Sequence, residues 1–276
     1  MQRLRELGWI ENRTIAIEYR WAEGRNERFD EIAAELVRFK VDVIFTAGTP
    51  PVVAAKRATS VIPIVAAVMG DPVGAGVVAS LSRPGGNVTG LSNQTRDLVG
   101  KRLELLREVS PGLVTLAVLA NVGNPSAILE MSEVQARARA LGLPIVPLEI
   151  RRSEDVATAI ETAKNGAQAL YVTTDALVNT HRLRINTLAL SARLPTMHAS
   201  REHVEVGGLM SYGPNVPHLY RRGAELIDKI LRGTSPGDIP VEQPTKFDLI
   251  INLITAKALG LEIPPTLLAR ADEVIE

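Results

Sequence analysis

The stretch Leu116-Ala117-Val118-Leu119-Ala120-Asn121-Val122-Gly123-Asn124-Pro125-Ser126 decides the fold. Five consecutive apolar residues stop at small polar ones, and Asn124-Pro125 then opens a helical pattern. Asparagine reads as an N-cap, whose side chain accepts a first-turn N–H. Proline follows at the first helical position, where the N–H it lacks would have had no partner. The apolar run is continuous, as in a strand of a parallel sheet buried on both faces.

The same pattern recurs at four other places. Val43-Ile44-Phe45-Thr46 precedes Gly48-Thr49-Pro50, and Ile64 to Val68 precedes Gly70-Asp71-Pro72. Ala169-Leu170-Tyr171-Val172 precedes Thr174-Asp175, and Leu209-Met210-Ser211 precedes Tyr212-Gly213-Pro214-Asn215. Each places a turn or helix start at the carboxyl end of a buried strand. Ligands of open parallel α/β sheets bind at that edge. Helix N-termini there present N–H groups and partial positive charge, suited to a carboxylate or phosphate.

Working outward, Thr14 to Tyr19 alternates as a strand does, and Arg25 to Lys40 carries Phe29, Ile32, Ala33, Leu36 and Val37 at helical spacing. Residues 74–82 read as a short helix ended by Arg83-Pro84-Gly85-Gly86-Asn87. Residues 94–109 read as one long helix leaving a first β-α series. A second series runs from strand 114–120 to strand 208–211, with 177–192 as a single helix. Helix 217–232, an extended stretch from Ile239 to Ile251 and a helix at 253–260 complete the chain. The class is α/β with parallel sheets.

The 276 residues suggest about two domains at ~150 residues each. Formal net charge is +0, from 31 basic and 31 acidic residues, which argues against a nucleic-acid partner. Aromatics at 4% leave little for a base-stacking platform. Cysteine is absent, which excludes disulfides, thiolate nucleophiles and cysteine metal sites. His181, His198, His203 and His218 lack ligand-like spacing, so no metal and no cofactor are expected. No Gly-x-Ser-x-Gly elbow or Gly-x4-Gly-Lys loop occurs, and an enzyme is a weak reading. Met1 to Trp9 reads as the last turns of a helix ending at Gly8, and not as a signal peptide.

Gly70-Asp71-Pro72-Val73-Gly74-Ala75-Gly76, Ser82 to Gly90, Gly208 to Asn215 and the tail from Pro240 through Lys246 to Gly260 resemble the ABC-transporter substrate-binding protein family related to tryptophan-binding lipoproteins. The resemblance covers essentially the whole chain. It implies a type I periplasmic-binding-protein fold with two Rossmann-like lobes and three hinge crossings. It implies that an ABC importer's solute-binding component captures a small carboxylate-bearing ligand, an amino acid or an aromatic or organic acid, in the inter-lobe cleft. A membrane permease is then the partner, and the location is periplasmic or membrane-anchored and extracytoplasmic. Such proteins carry an export signal and a strand ahead of the helix that ends here at Gly8, so the first strand of the first lobe reads as missing. A homodimer in which a second copy covers the open slot is one expectation from this. The lobes map to 1–92 plus 214–243 and 93–212 plus 246–276, with crossings near 91–95, 212–215 and 243–247. A ligand-sensing effector domain of a transcriptional regulator shares the fold and is the alternative.

The candidate ligand-binding residues follow from the strand ends. Gly48 and Thr49 offer amides and a hydroxyl. Gly70 and Asp71 offer a backbone turn and a carboxylate for an amine. Asn121, Gly123, Asn124 and Ser126 form the best candidate, which by resemblance holds a carboxylate through backbone amides and Ser126. Thr174 and Asp175 place a carboxylate where an ammonium could pair with it. Tyr212 could cover the ligand from a crossing, and Trp21 follows a strand end. Each of these also has a plain reading as a cap, a hinge packing residue or surface.

Overall fold

The computed structural model describes residues 1–276. The chain forms two compact units: unit 1 is Met1–Gln94 with Val216–Pro244, and unit 2 is Thr95–Asn215 with Thr245–Glu276.

Unit 1 contains α1 (Gln2–Glu6), α2 (Arg28–Arg38), β1 (Ile44–Thr46), α3 (Thr49–Ala58), β2 (Ile64–Met69) and β3 (Val88–Ser92). After the excursion through unit 2 it receives Val216–Leu231, the tenth helix in chain order (α10). Its sheet is parallel, in the order β1-β2-β3. β2 is apolar along its length because Ile64, Ala66 and Met69 pack with Val52 and Val88, while Val65 packs with Leu219, Leu226 and Ile227 of α10. Two glycines allow this closeness. A Cβ on Gly223 would stand 2.8 Å from the Phe45 ring. Gly90, with φ +146°, lies so near β2 that a Cβ would overlap the Ala66 carbonyl oxygen.

Unit 2 contains α4 (Val99–Val109), β4 (Leu116–Asn121), α5 (Pro125–Ala140), β5 (Ile145–Ile150), α6 (Asp155–Gly166), β6 (Ala169–Val172), α7 (Ala176–Thr180), α8 (Arg182–Ser191), β7 (Thr196–His198), α9 (Arg201–Val204) and β8 (Met210–Pro214). After α10 follow a 3-10 turn at Pro236–Asp238 in unit 1, then β9 (Phe247–Asn252), α11 (Leu253–Leu259), α12 (Pro265–Leu268) and β10 (Glu273–Ile275). The sheet order is β10-β9-β8-β7-β6-β4-β5. Every pair is parallel except β8 with β9. β4 shows why its sequence is continuous: Leu116, Val118 and Ala120 pack among Leu103, Leu106 and Val134 on one face, and Ala117 and Leu119 among Val156, Ile160 and Ile185 on the other. Fully burying a Leu or Val contributes roughly 1.5–3 kcal/mol, so both faces select apolar side chains.

Four local expectations are corrected. Thr14 to Tyr19 forms no strand; the segment makes one isolated bridge, Glu11 with Ile15, and joins neither sheet. Alternation creates a surface, but a strand also needs a neighbour to share its ladder bonds. Residues 74–82 are turns, because Asp71 takes the Gly74 and Ala75 amides and Gly76 adopts φ +68°. The helix expected from residue 94 begins at Val99, since Gln94 sits at φ +52°. The helix expected over 177–192 is two, broken at His181 with φ −100° and ψ 17°.

Behind β7, the rings of His198 and His203 stack with centroids 4.4 Å apart, and both are buried. Neither His198 nitrogen nor His203 Nδ1 has a hydrogen-bond partner. Desolvation lowers His203 to about 4, with Arg182 adding to it, and lowers His198 well below the ordinary range. The folded chain therefore keeps both neutral while the unfolded chain binds protons below about 6.5. Their contribution is full above that value and is lost as pH falls towards 4, by roughly 3 kcal/mol for His203.

Two outcomes are expected. Gly90→Ala should lower unfolding free energy by about 3 kcal/mol in urea titration, from backbone overlap and strain. His203→Gln should flatten the fall in stability between pH 6.5 and 4, read by denaturation at a series of pH values.

Candidate functional site

In unit 2, β4 and β6 are neighbours, with Leu119 opposite Val172, so their carboxyl ends lie side by side. The loop after β4 and the turn after β6 are joined through Asp175. Asp175 Oδ1 accepts from Asn121 Nδ2 at 3.0 Å and from the Leu177 and Val178 amides at 2.8 and 3.3 Å. Its Oδ2 accepts from Asn124 Nδ2 at 2.9 Å. The carboxylate thus caps α7 and orients both asparagines, and Oδ2 keeps spare acceptor capacity. Asn121 Oδ1 accepts from the Gly123 amide at 2.9 Å, and Asn124 Oδ1 from the Ser126 amide at 3.0 Å. Two amides expected to face a ligand are therefore already bonded inside the loop. Ser126 and Asn124 are buried, while Gly123 is exposed. The helix start is as the sequence predicted, with Asn124 as N-cap and Pro125 in the first turn.

Thr174 lies beside this loop. Its amide donates to Glu130 Oε2 at 3.0 Å, and its buried Oγ1 faces the same carboxylate. Tyr212, on β8, sets its ring 6.0 Å from Phe247.

In unit 1 the carboxyl ends of β1, β2 and β3 form a second polar edge. Gly48, at φ +92°, donates its amide to the Val68 carbonyl at 2.6 Å. The Thr49 hydroxyl accepts from the Gly70 amide at 3.2 Å, and Ser92 Oγ donates to the Gly70 carbonyl at 3.2 Å. Asn93 is 5% exposed, and its Oδ1 has no hydrogen-bond partner. Asp71 holds the turn at Gly74. Trp21 is 70% exposed and stacks on Tyr19, with ring centroids 6.3 Å apart.

Sequence reasoning missed Arg102, Glu130, Tyr171, Ser92 and Asn93. Two of them had a readable signal. Arg102 falls on the apolar face of Val99, Leu103, Leu106 and Val109, and Glu130 on that of Ala127, Met131 and Val134. A charge on such a stripe must find a partner, and these two carry opposite sign. Ser92 and Asn93 had no such signal.

A family model described as ABC transporter substrate binding protein matches residues 1–275. The chain belongs to this family. A tyrosine-binding protein of Clostridioides difficile (strain R20291) is 30% identical over 259 residues, covering 94% of this chain and 74% of that one. Among solved structures, a conserved domain protein from Vibrio cholerae O1 biovar El Tor str. N16961 is similar with a TM-score of 0.95 and 31% identity, over 99% of this chain and 92% of the other. The ABC domain in complex with L-Trp from Streptococcus pneumonia is similar with a TM-score of 0.90 and 26% identity, over 99% and 93%. The fold is that of type I periplasmic binding proteins, and more distant solved structures share the fold alone.

For this substrate-binding protein, Asp175 has a measurable structural role. Asp175→Ala removes a cap, worth about 0.5–2 kcal/mol, and orphans buried amide donors at about 1–3 kcal/mol each. A loss of roughly 3 kcal/mol in denaturant unfolding is expected, with the 121–126 loop displaced in a crystal structure of the variant.

Proposed function

We propose that this family member is the non-catalytic solute-binding component of an ABC importer, working outside the cytoplasm and delivering an aromatic amino acid to a membrane permease. The observation that carries the reading is the built polar edge at the strand ends of each unit: Asp175 holding Asn121 and Asn124 in unit 2, and Thr49 and Ser92 on Gly70 in unit 1, where Asn93 Oδ1 is buried without a partner. A buried polar atom without a partner costs about 1–3 kcal/mol, and a ligand's amino or hydroxyl group donating to Asn93 Oδ1 would remove that cost. The relatives named for tyrosine and L-Trp favour the aromatic class.

In unit 2 the proposed contacts are Thr174, Ser126, Gly123 and Tyr212, with Asn121 and Asn124 held in place by Asp175, whose Oδ2 remains available to an ammonium. In unit 1 they are Gly48, Thr49, Gly70 and Asp71, together with Asn93, and Trp21 offers an exposed ring. Most of the affinity would come from groups already fixed before the ligand arrives, because little ordering entropy is then lost on binding.

Thermal melting against the twenty amino acids tests this. L-Tyrosine or L-tryptophan should raise the melting temperature by several degrees, from about 2.7 kcal/mol of stabilisation at a hundredfold excess over Kd. Tyramine and tryptamine, which lack the carboxylate, should give no shift. Thr174→Val should weaken binding about tenfold, equivalent to ~1.4 kcal/mol. A cooperative melt unmoved by every amino acid would overturn the proposal.

A further inference from the structure

Arg102 and Glu130 are 1% and 0% exposed, and an ion pair so deeply buried is weak ground for stability, since apolar residues of the same volume often do as well. What the pair holds is more informative. Arg102 Nη1 donates to Glu130 Oε1 at 2.9 Å and to the Tyr171 hydroxyl at 3.0 Å, and that hydroxyl donates to Glu130 Oε1 at 2.9 Å. Glu130 Oε2 receives the Thr174 amide at 3.0 Å. On the other side, Arg102 Nε donates to the Tyr212 carbonyl at 2.8 Å and Nη1 reaches the Thr95 carbonyl at 3.4 Å. One hydrogen-bonded chain therefore runs from Thr174, at the candidate binding edge, to Thr95 and Tyr212.

The ends of this chain are places of consequence. Thr95 is the first residue of unit 2, and Tyr212 lies just before Asn215, where the chain leaves it again. A single guanidinium thus anchors two of the three segments by which the polypeptide enters or leaves the unit. The chain is also unsaturated: Arg102 Nη2 and Thr95 Oγ1 are buried without partners. Burial raises the Glu130 carboxyl above its ordinary range, while Arg102 pulls the other way. The carboxylate is thus held mainly by its partners, and a change at one partner is felt by the others.

We propose that Arg102, Tyr171 and Glu130 are positioning residues that couple ligand capture at Thr174 to the chain segments at Thr95 and Tyr212. The inference rests on the binding role proposed above. A ligand engaging Thr174 fixes the Thr174 amide, and with it Glu130, the Tyr171 hydroxyl and Arg102. The two carbonyls that Arg102 holds are then fixed as well. Linkage makes the coupling reciprocal, so loosening the relay weakens ligand binding although no relay side chain is among the proposed ligand contacts.

The test uses the whole chain with L-tyrosine and L-tryptophan as probes. Tyr171→Phe removes one hydroxyl and no charge, and Glu130→Gln removes the charge at nearly constant shape. If Glu130→Gln fails to fold, Tyr171→Phe carries the experiment. Calorimetry gives Kd, and hydrogen exchange reads amides 173–176, 95–98 and 212–215 with and without ligand. In the unaltered protein, ligand should slow exchange at all three places. In the variants, protection at 173–176 should persist, protection at 95–98 should be lost, protection at 212–215 should fall only in part because Tyr212 is also a proposed ligand contact, and Kd should rise five- to fiftyfold. Variants that melt lower yet keep Kd within twofold and the same ligand protection overturn the coupling and leave a structural relay. Binding by the unaltered protein without protection at 95–98 and 212–215 also overturns it, with the binding role intact. Absence of binding by the unaltered protein overturns that role, and the coupling with it.

Discussion

Burial of β4 on both faces is the constraint on which unit 2 depends. Its apolar residues serve two packing layers at once, α4 and α5 on one side and α6 and α8 on the other. A strand so placed has no face on which to carry polar chemistry. Polar chemistry is displaced to its carboxyl end, where the chain must turn and its polar groups need partners. Asn121, Asn124 and Asp175 answer that need together, and the same bonds that satisfy them shape the candidate site.

The two units meet this constraint in different ways. In unit 2 a buried carboxylate organises side-chain amides, and those amides organise the loop backbone. In unit 1 the edge is built from hydroxyls and backbone, with Thr49 and Ser92 both bonded to Gly70. In the first arrangement Asp175 Oδ1 alone collects three donors, and each asparagine is bonded at both ends of its amide. The second leaves Asn93 Oδ1 unused.

Much of the fold was legible in the sequence because the strands are buried and the helix starts are capped. Asn124-Pro125 and Thr174-Asp175 mark their boundaries through local chemistry alone. The failures also have local causes. Thr14 to Tyr19 has the alternation of a strand and no strand beside it. Residues 74–82 have the apolar spacing of a helix, and Asp71 and Gly76 turn the chain instead. In the site, residue types at strand ends were readable, but their bonding was not. The Gly123 and Ser126 amides looked open to a ligand and prove to be used within the loop.

The sequence by itself determined that this is an α/β chain with helix starts at strand ends, since periodicity and capping act over a few residues. Only the tertiary structure decided which polar atoms are already satisfied, because that depends on partners far along the chain. Asn121 and Asp175 are 54 residues apart, and Arg102 and Tyr212 are 110 apart. No local pattern records such pairings; they exist once β4, β6 and β8 share one sheet and bring their ends within hydrogen-bond reach.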